Sequence, residues 1–287
     1  MPLLSKNVIV VKNSREVIRA VKHDEKSQLN KQISDYMLNT VSDAVSASDL
    51  LSRRLEQLSP EERPVIAEYL SMLRRSQFQL QRMAENLREF SEFENGTAIL
   101  HRETVDLAAL CSDLADGVRT LCPEADLRLE SCPEPCITSC DPDRIERLLL
   151  NLLSNSLLHL PADGAIRILL QRTQETIQVV VSDNGSGIPR ERMDTLFSDF
   201  VGDAELPEAG RGAGIGLMVA SLIAKAHGGS LMITSGEGRG TKAVFSLPCV
   251  SESILRSSPS LRHGRMRTLL TQLSDVLGHD RFQPPYL

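Results

Sequence analysis

Gly210-Arg-Gly-Ala-Gly-Ile-Gly-Leu217 is the stretch that decides how the rest of this 287-residue chain is read. Glycines stand at 210, 212, 214 and 216, and an apolar helical pattern runs from Leu217 to Ala226. Glycine admits positive φ and lets backbone approach a ligand with no Cβ in between. A loop of this kind opening a helix aims unpaired N–H groups and the positive dipole end at one point, which suits a phosphate. A surface turn has the same composition, so the weight falls on what accompanies the loop.

Length predicts two domains. No apolar run approaches the ~20 residues that cross a bilayer, so no membrane-spanning segment is expected. The segment Met1–Val11 holds one Lys and a short apolar patch, without the long apolar core and cleavage site of a signal peptide. A cytoplasmic protein is therefore expected. A net charge of −6 argues against nucleic acid as a partner, and with no Trp and few other aromatics there is no base-stacking surface. Cys132, Cys136 and Cys140 lie four apart, but Pro133 and Pro135 forbid the helix that would align them. A zinc site also wants a fourth ligand, so reduced thiols are the expectation.

Residues 1–13 form an N-terminal segment, and residues 14–98 read as a helical hairpin. Its first helix starts at Ser14 or Ser27 and carries Leu29, Ile33, Met37, Val41, Val45, Leu50, Leu51 and Leu55 in a heptad-like stripe. Ser59-Pro60-Glu61-Glu62 starts the second, with Pro in the first turn and acids at the positive dipole end. Its stripe runs from Ile66 to Phe93, and Asn95-Gly96 ends it. One hairpin cannot bury so long a stripe, whereas two copies in a four-helix bundle can, and this predicts a homodimer. A monomeric hairpin folded onto the second domain stays open beside it.

Residues 99–250 change texture. Ala98–His101, Leu127–Glu130, Cys136–Thr138, Ala165–Gln171, Ile177–Ser182, Ser230–Ser235 and Thr241–Leu247 read as strands. Helices are expected over Val105–Leu121, Arg144–Leu160 and Leu217–His227. The fold class is α+β, an α/β sandwich of one mixed sheet with helices on one face, preceded by the long hairpin. Residues 251–287 form a Ser- and Arg-rich tail with an amphipathic helix over Met266–Leu277.

Three further motifs join the glycine loop. Asn151-Leu-Leu-Ser-Asn155 puts two amides on one helix face, where a side-chain oxygen suits a hard cation such as Mg2+; an Asn pair bonded to neighbouring backbone is the plainer alternative. Asp183-Asn-Gly-Ser-Gly-Ile-Pro189 follows a strand directly, placing a carboxylate beside glycines where it can accept from an exocyclic amine. Leu196-Phe-Ser-Asp-Phe200 offers an aromatic pair to a lid or a core, and Gly236-Glu-Gly-Arg-Gly240 precedes Thr241.

In this order and spacing the motifs resemble the N, G1, F, G2 and G3 boxes of sensor histidine kinases. Those kinases belong to the wider ATP-binding family that includes gyrase, Hsp90 and MutL. The resemblance covers about residues 103–248, with the kinases' dimerisation hairpin upstream. It implies ATP and Mg2+ as cofactors, phosphoryl transfer resting on positioning and charge neutralisation, and the receiver domain of a response regulator as partner. It implies that Asn155 ligates Mg2+, that Asn151 sits by the phosphates and that Asp183 binds the adenine amino group. Gly185 and Gly187 would admit the nucleotide, while Gly212, Gly214 and Gly216 cradle phosphates and Thr241 lies beneath the adenine. It also brings His159, Ile188, Phe197, Arg211, Ile215 and Leu217 into the ATP site and makes residues 190–211 the lid.

The chain departs from the family in three places. Leu158 stands where a Lys is usual. The lid is acidic at Asp203, Glu205 and Glu208, with Arg211 as an offset. The phosphoacceptor His expected about five helical turns before the hairpin tip, near Asn39, is missing. His23, followed by an acid as in the family, is the only histidine of the hairpin, and a solvated helix-face role competes with that of phosphoacceptor. Two alternatives therefore stand beside the kinase: a degenerate, nucleotide-gated dimeric scaffold, and a Ser/Thr kinase of the anti-sigma type, which the long hairpin disfavours.

Overall fold

The computed structural model describes residues 14–193, 215–249 and 265–283. The chain opens with α1 (Ser14–Arg54), turns through a short 3-10 segment at Leu55–Gln57, and returns as α2 (Glu62–Glu94). The expected start of α2 forms as a reciprocal cap: the Glu62 N–H donates to Ser59 Oγ at 3.3 Å, and Ser59 Oγ–H donates to the Glu62 carboxylate at 2.7 Å. Gly96, at φ +65°, ends it.

The seam between the two helices mixes small polar side chains with apolar ones such as Val41 and Leu70. Ser34, Val41 and Ser48 are buried at seven-residue spacing along α1. Gln77 Nε2 of α2 donates to Ser48 Oγ at 2.7 Å, and Arg74 Nη2 reaches Ser52 Oγ at 2.8 Å. The larger apolar side chains, among them Leu50, Leu51, Ile66, Tyr69 and Leu73, stand exposed on the single chain. Among the described residues, no helix is long and apolar enough to cross a membrane.

After the hairpin come β1 (Glu103–Asp106), α3 (Leu107–Leu121), β2 (Asp126–Glu130), β3 (Ile137–Cys140), α4 (Pro142–Leu158), β4 (Ala165–Arg172) and β5 (Thr176–Asp183). Then follow α5 (Arg190–Met193), α6 (Ile215–Ala226), β6 (Ser230–Ser235), β7 (Thr241–Pro248) and α7 (Arg265–Gln272). Five strands form one mixed sheet in the order β2-β4-β5-β7-β6, with only the β2–β4 pair parallel. Strands β1 and β3 pair separately. Alternate residues of β5 and β7, such as Ile177, Val179, Val181, Phe245 and Leu247, face the core under α3, α4 and α6.

The strand expected over 98–101 is absent, and β1 begins at Glu103 instead. The reason is where those amides go. Thr97 and Ala98 N–H both donate to the Glu92 carbonyl, finishing α2, and the His101 N–H donates to Asp141 Oδ2. The amides at both ends of that stretch are thereby committed outside a ladder. Asp106 and Asp141 cap α3 and α4, accepting from the N–H of Ala108 (3.0 Å) and Arg144 (3.2 Å), and Pro142 opens α4.

The second half of α2 belongs as much to this domain as to the hairpin. Glu89, almost fully buried, lies between Arg144 and Arg147 of α4, and Glu85 pairs with Arg147 at 3.1 Å. The segment 265–283 closes the same seam. Leu269, Leu270, Leu273, Leu277 and Phe282 are buried, with Phe282 against Phe78 of α2 at 5.3 Å between ring centroids. Leu269 also fills the space over Gly117 of α3, where a Cβ would lie 2.6 Å from its Cδ1. Asp275 pairs with Arg82 of α2 at 2.6 Å.

Candidate nucleotide site

The site assembles around one carboxylate. Asp183 ends β5, and its oxygens are held by three donors from three elements. Ser156 Oγ of α4 donates to Oδ2 at 2.7 Å, while the N–H groups of Gly185 and Thr241 donate to Oδ1 at 2.9 and 3.1 Å. Backbone is packed closely around it. A Cβ at Gly185 would lie 2.6 Å from the His159 carbonyl oxygen. At Gly187 (φ +68°) it would lie 2.0 Å from the Gly236 oxygen, and at Gly240 (φ +73°) 2.0 Å from the Asp183 oxygen. Those two positions require glycine on both counts. Ser235 ties the sides together, accepting from the Ile188 N–H at 2.9 Å and donating to the Gly240 carbonyl at 2.8 Å, with Thr241 Oγ1 3.0 Å away.

Of the paired amides, Asn155 stands next to Ser156 and Asn151 about one turn back along α4. Asn151 is wholly buried, and Gly216 at the start of α6 leaves it room: a Cβ there would sit 2.9 Å from Asn151 Oδ1. Asn151 Nδ2 is buried without a partner, and Arg82 Nη2 lies 3.4 Å from Asn151 Oδ1. Burial lowers the pKa of the Arg82 guanidinium, and the Asp275 carboxylate works against that. Asn155 is half-buried and His159 exposed. No group of three His, Cys, Asp or Glu ligands occurs among the described residues. A cation here would rest on an amide oxygen and on its ligand's own oxygens, a pattern Mg2+ tolerates. An orphaned buried amide, a carboxylate with lone pairs to spare and a cradle without Cβ atoms fit a nucleotide with its Mg2+.

Residues 140–251 match the family model described as histidine kinase-, DNA gyrase B- and HSP90-like ATPase. Over these residues the chain is similar to that family of ATPases. The adaptive-response sensory kinase SasA of a Synechococcus species is 41% identical over 109 residues, which cover 38% of this chain and 29% of that protein. A Synechocystis protein of the same name is 25% identical over 84% of this chain and 63% of its own length. The chain thus spans less than two thirds of these relatives. In fold it is similar to the crystal structure of full-length ShkA in complex with AMPPNP, with a TM-score of 0.61 at 22% identity, covering 81% of this chain and 48% of that one.

The structure brings Asn151, Asp183, Gly185, Gly187, Ile188, Gly216 and Thr241 together with the last turn of α4, which carries Asn155 and ends at His159. Ile215 and Leu217 open α6. Phe197, Arg211, Gly212 and Gly214, with most of the expected lid, lie outside the described residues. His23 lies on α1, far along the chain from the site. Three contributors were not foreseen. Ser156 stands next to Asn155, so the motif itself could have suggested it. Ser235 had no signal beyond its strand end. Arg82 did have one: Phe78, Arg82 and Asn86 share a helix face, so a charge sits on a buried stripe.

Buried His227, directly after α6, is a structural histidine within this domain. Its Nε2 accepts from the Asp141 N–H at 3.0 Å, which leaves Nδ1 to donate to the Ile223 carbonyl at 2.8 Å. Burial pulls its pKa below 6.5 and keeps the ring neutral.

Proposed function

We propose that this chain is the ATP-dependent catalytic part of a histidine protein kinase in a two-component system. The observation that carries the proposal is Asp183, a carboxylate fixed by Ser156, Gly185 and Thr241 beneath a glycine-lined cradle. It is placed to accept from the exocyclic amine of an adenine, and Thr241 lies beside it. Asn151, its amide nitrogen unpartnered, turns to the phosphates with Gly212, Gly214 and Gly216, and Asn155 would hold Mg2+, which when bound would supply charge neutralisation for phosphoryl transfer. His159, Ile188, Phe197, Arg211, Ile215 and Leu217 complete the ATP site, with residues 190–211 as its lid.

Residues 14–98 are the dimerisation hairpin and residues 99–250 the nucleotide-binding domain, acting in the cytoplasm as a homodimer. Support for the dimer is the apolar stripe that the seam between α1 and α2 leaves uncovered. The phosphoryl group passes to a histidine, His23 being the one the hairpin offers, and on to a receiver domain.

A second reading rests on the position of that histidine. His23 lies several turns further from the hairpin tip than the family's phosphoacceptor, and this favours a nucleotide-gated dimeric scaffold without autokinase activity. Incubating the purified chain with γ-labelled ATP and Mg2+ separates the two. An acid-labile, alkali-stable label that disappears in His23→Ala establishes the kinase. ATP binding with no label establishes the scaffold. An acid-stable label would instead mean a Ser or Thr acceptor.

A further inference from the structure

The loop Ser131-Cys-Pro-Glu-Pro-Cys136, between β2 and β3, takes no part in the proposed phosphoryl transfer. The sequence predicts reduced thiols here, because the prolines rule out a helix that would align them. The structure gathers two of them in another way. The loop folds around the Glu134 carbonyl, which accepts from Cys132 Sγ at 3.3 Å and from Cys136 Sγ at 3.7 Å. The two sulfurs come to 2.9 Å of each other, while Cys140 is fully buried at the end of β3.

The loop is held at its second end. The Cys136 carbonyl accepts from the Leu107 N–H at 2.9 Å, and Arg172 donates to the Pro135 carbonyl. The two thiols also differ in access. Cys132 is half-buried at the surface, whereas Cys136 is wholly buried. Burial first, and then the neighbouring Cys132 thiol, push the Cys136 thiol up to about 12. The described residues offer no third ligand, so the pair is not a closed metal site.

We propose that Cys132 and Cys136 form a dithiol site that exchanges with a low-molecular-weight disulfide to close an intrachain disulfide. Cys132 is the attacking thiol, because solvent reaches it and its proton is lost to water. Its thiolate attacks one sulfur of the disulfide RSSR. The S–S bond of RSSR breaks, one RS⁻ leaves and takes up a proton, and Cys132 carries the mixed disulfide. Cys136 then attacks the Cys132 sulfur already in contact with it, and its proton passes to the second RS⁻ as that group departs. In sum two cysteines are oxidised by two electrons and RSSR is reduced to two RSH. Burial keeps Cys136 from starting the reaction and assigns it the resolving role.

The test uses the full chain, reduced, then equilibrated with increasing ratios of oxidised to reduced glutathione and quenched by alkylation. The denatured thiol count should fall from six to four, the mass should drop by two hydrogens, and one cross-linked peptide should join Cys132 to Cys136. Cys136→Ser should accumulate a glutathione adduct on Cys132, and Cys132→Ser should show neither adduct nor bridge in the loop. The parent chain carries the main measurement, so the outcome does not depend on either variant folding. Six thiols retained in excess oxidised glutathione would overturn the proposal. So would a bridge that maps to another pair, or a stable adduct on Cys132 of the parent chain with no bridge.

Discussion

The hairpin and the ATPase domain use their apolar residues in opposite ways. In the domain built on the five-stranded sheet, Leu114, Val118, Leu149, Leu153, Val219 and Phe245 are buried to within about 1% of full occlusion. Along α1 and the first half of α2, serines and a glutamine face inward beside Val41 and Leu70, while Leu50 (64% exposed) and Tyr69 (61%) face out. The first pattern is a finished core; the second is half of one. A sequence can therefore carry a strong stripe in both regions and fold one of them to completion and leave the other waiting for a partner surface.

The same substitution made in each region should have very different effects. Gly240 and Gly96 share a positive φ, at +73° and +65°, but a Cβ would strike backbone at Gly240 and meet nothing within 4 Å at Gly96. Gly240→Ala should cost on the order of 3–5 kcal/mol, the sum of backbone strain and overpacking, and Gly96→Ala about 1 kcal/mol. Urea unfolding of the two variants against the parent measures both, and equal effects would contradict the packing described.

Charge gives the next contrast. Glu89, 2% exposed between two arginines, should cost about 3 kcal/mol as Glu89→Gln, because two guanidinium groups lose their counter-charge at a buried seam. Asp49, 59% exposed opposite Arg74 in the hairpin, should cost under about 1 kcal/mol as Asp49→Asn. Thermal unfolding ranks them. Leu51→Asp tests the unfinished core directly. It should remove about 2 kcal/mol of apolar burial per protomer from a dimer and shift light scattering towards the monomer, leaving helix content unchanged. Loss of helix without a change in mass would show that the stripe serves the hairpin itself.

Asp183→Asn should weaken ATP binding by about 1–3 kcal/mol in calorimetry, the scale of a charge-assisted hydrogen bond, without matching loss of fold. The smallest effect is that of pH. The His227 ring is neutral in the folded state with its pKa below 6.5, so the unfolded chain takes up a proton first. Its contribution is complete above about pH 6.5 and is lost as pH falls through that value to the lowered one. His227→Gln, which can keep both hydrogen bonds, should flatten this part of the stability profile in denaturant titrations.

The ATPase domain was legible where a local rule and the tertiary contacts agree. Asp141-Pro142 starts α4, Gly228-Gly229 ends α6, and β6 has its expected bounds. Strand β1 was missed because four residues with one buried side chain, Val105, are too few to show a period. The α1 seam was missed for a different reason. Serine carries no apolar signal, so Ser34 and Ser48 look like surface in the sequence although both are buried. The site motifs were legible as short strings, but the residues that brace them, Ser156 and Ser235, act across elements and have no string of their own.

The pairing of Arg82 with Asp275 bears on the order in which the chain can fold. The two residues are 193 positions apart, and Phe78 and Gly117 wait on Phe282 and Leu269 across similar spans. During synthesis α2 emerges with a buried-face arginine that has no counter-charge, and α3 with a hollow over its glycine. The contacts that resolve both are long-range, and closing such contacts is slow. The sheet and its strands can form early, but the seam between hairpin and ATPase domain is completed only when residues 265–283 arrive. A fragment cut at residue 251, where the family match ends, should therefore fold with an exposed apolar groove along α3 and α2 and be prone to aggregate.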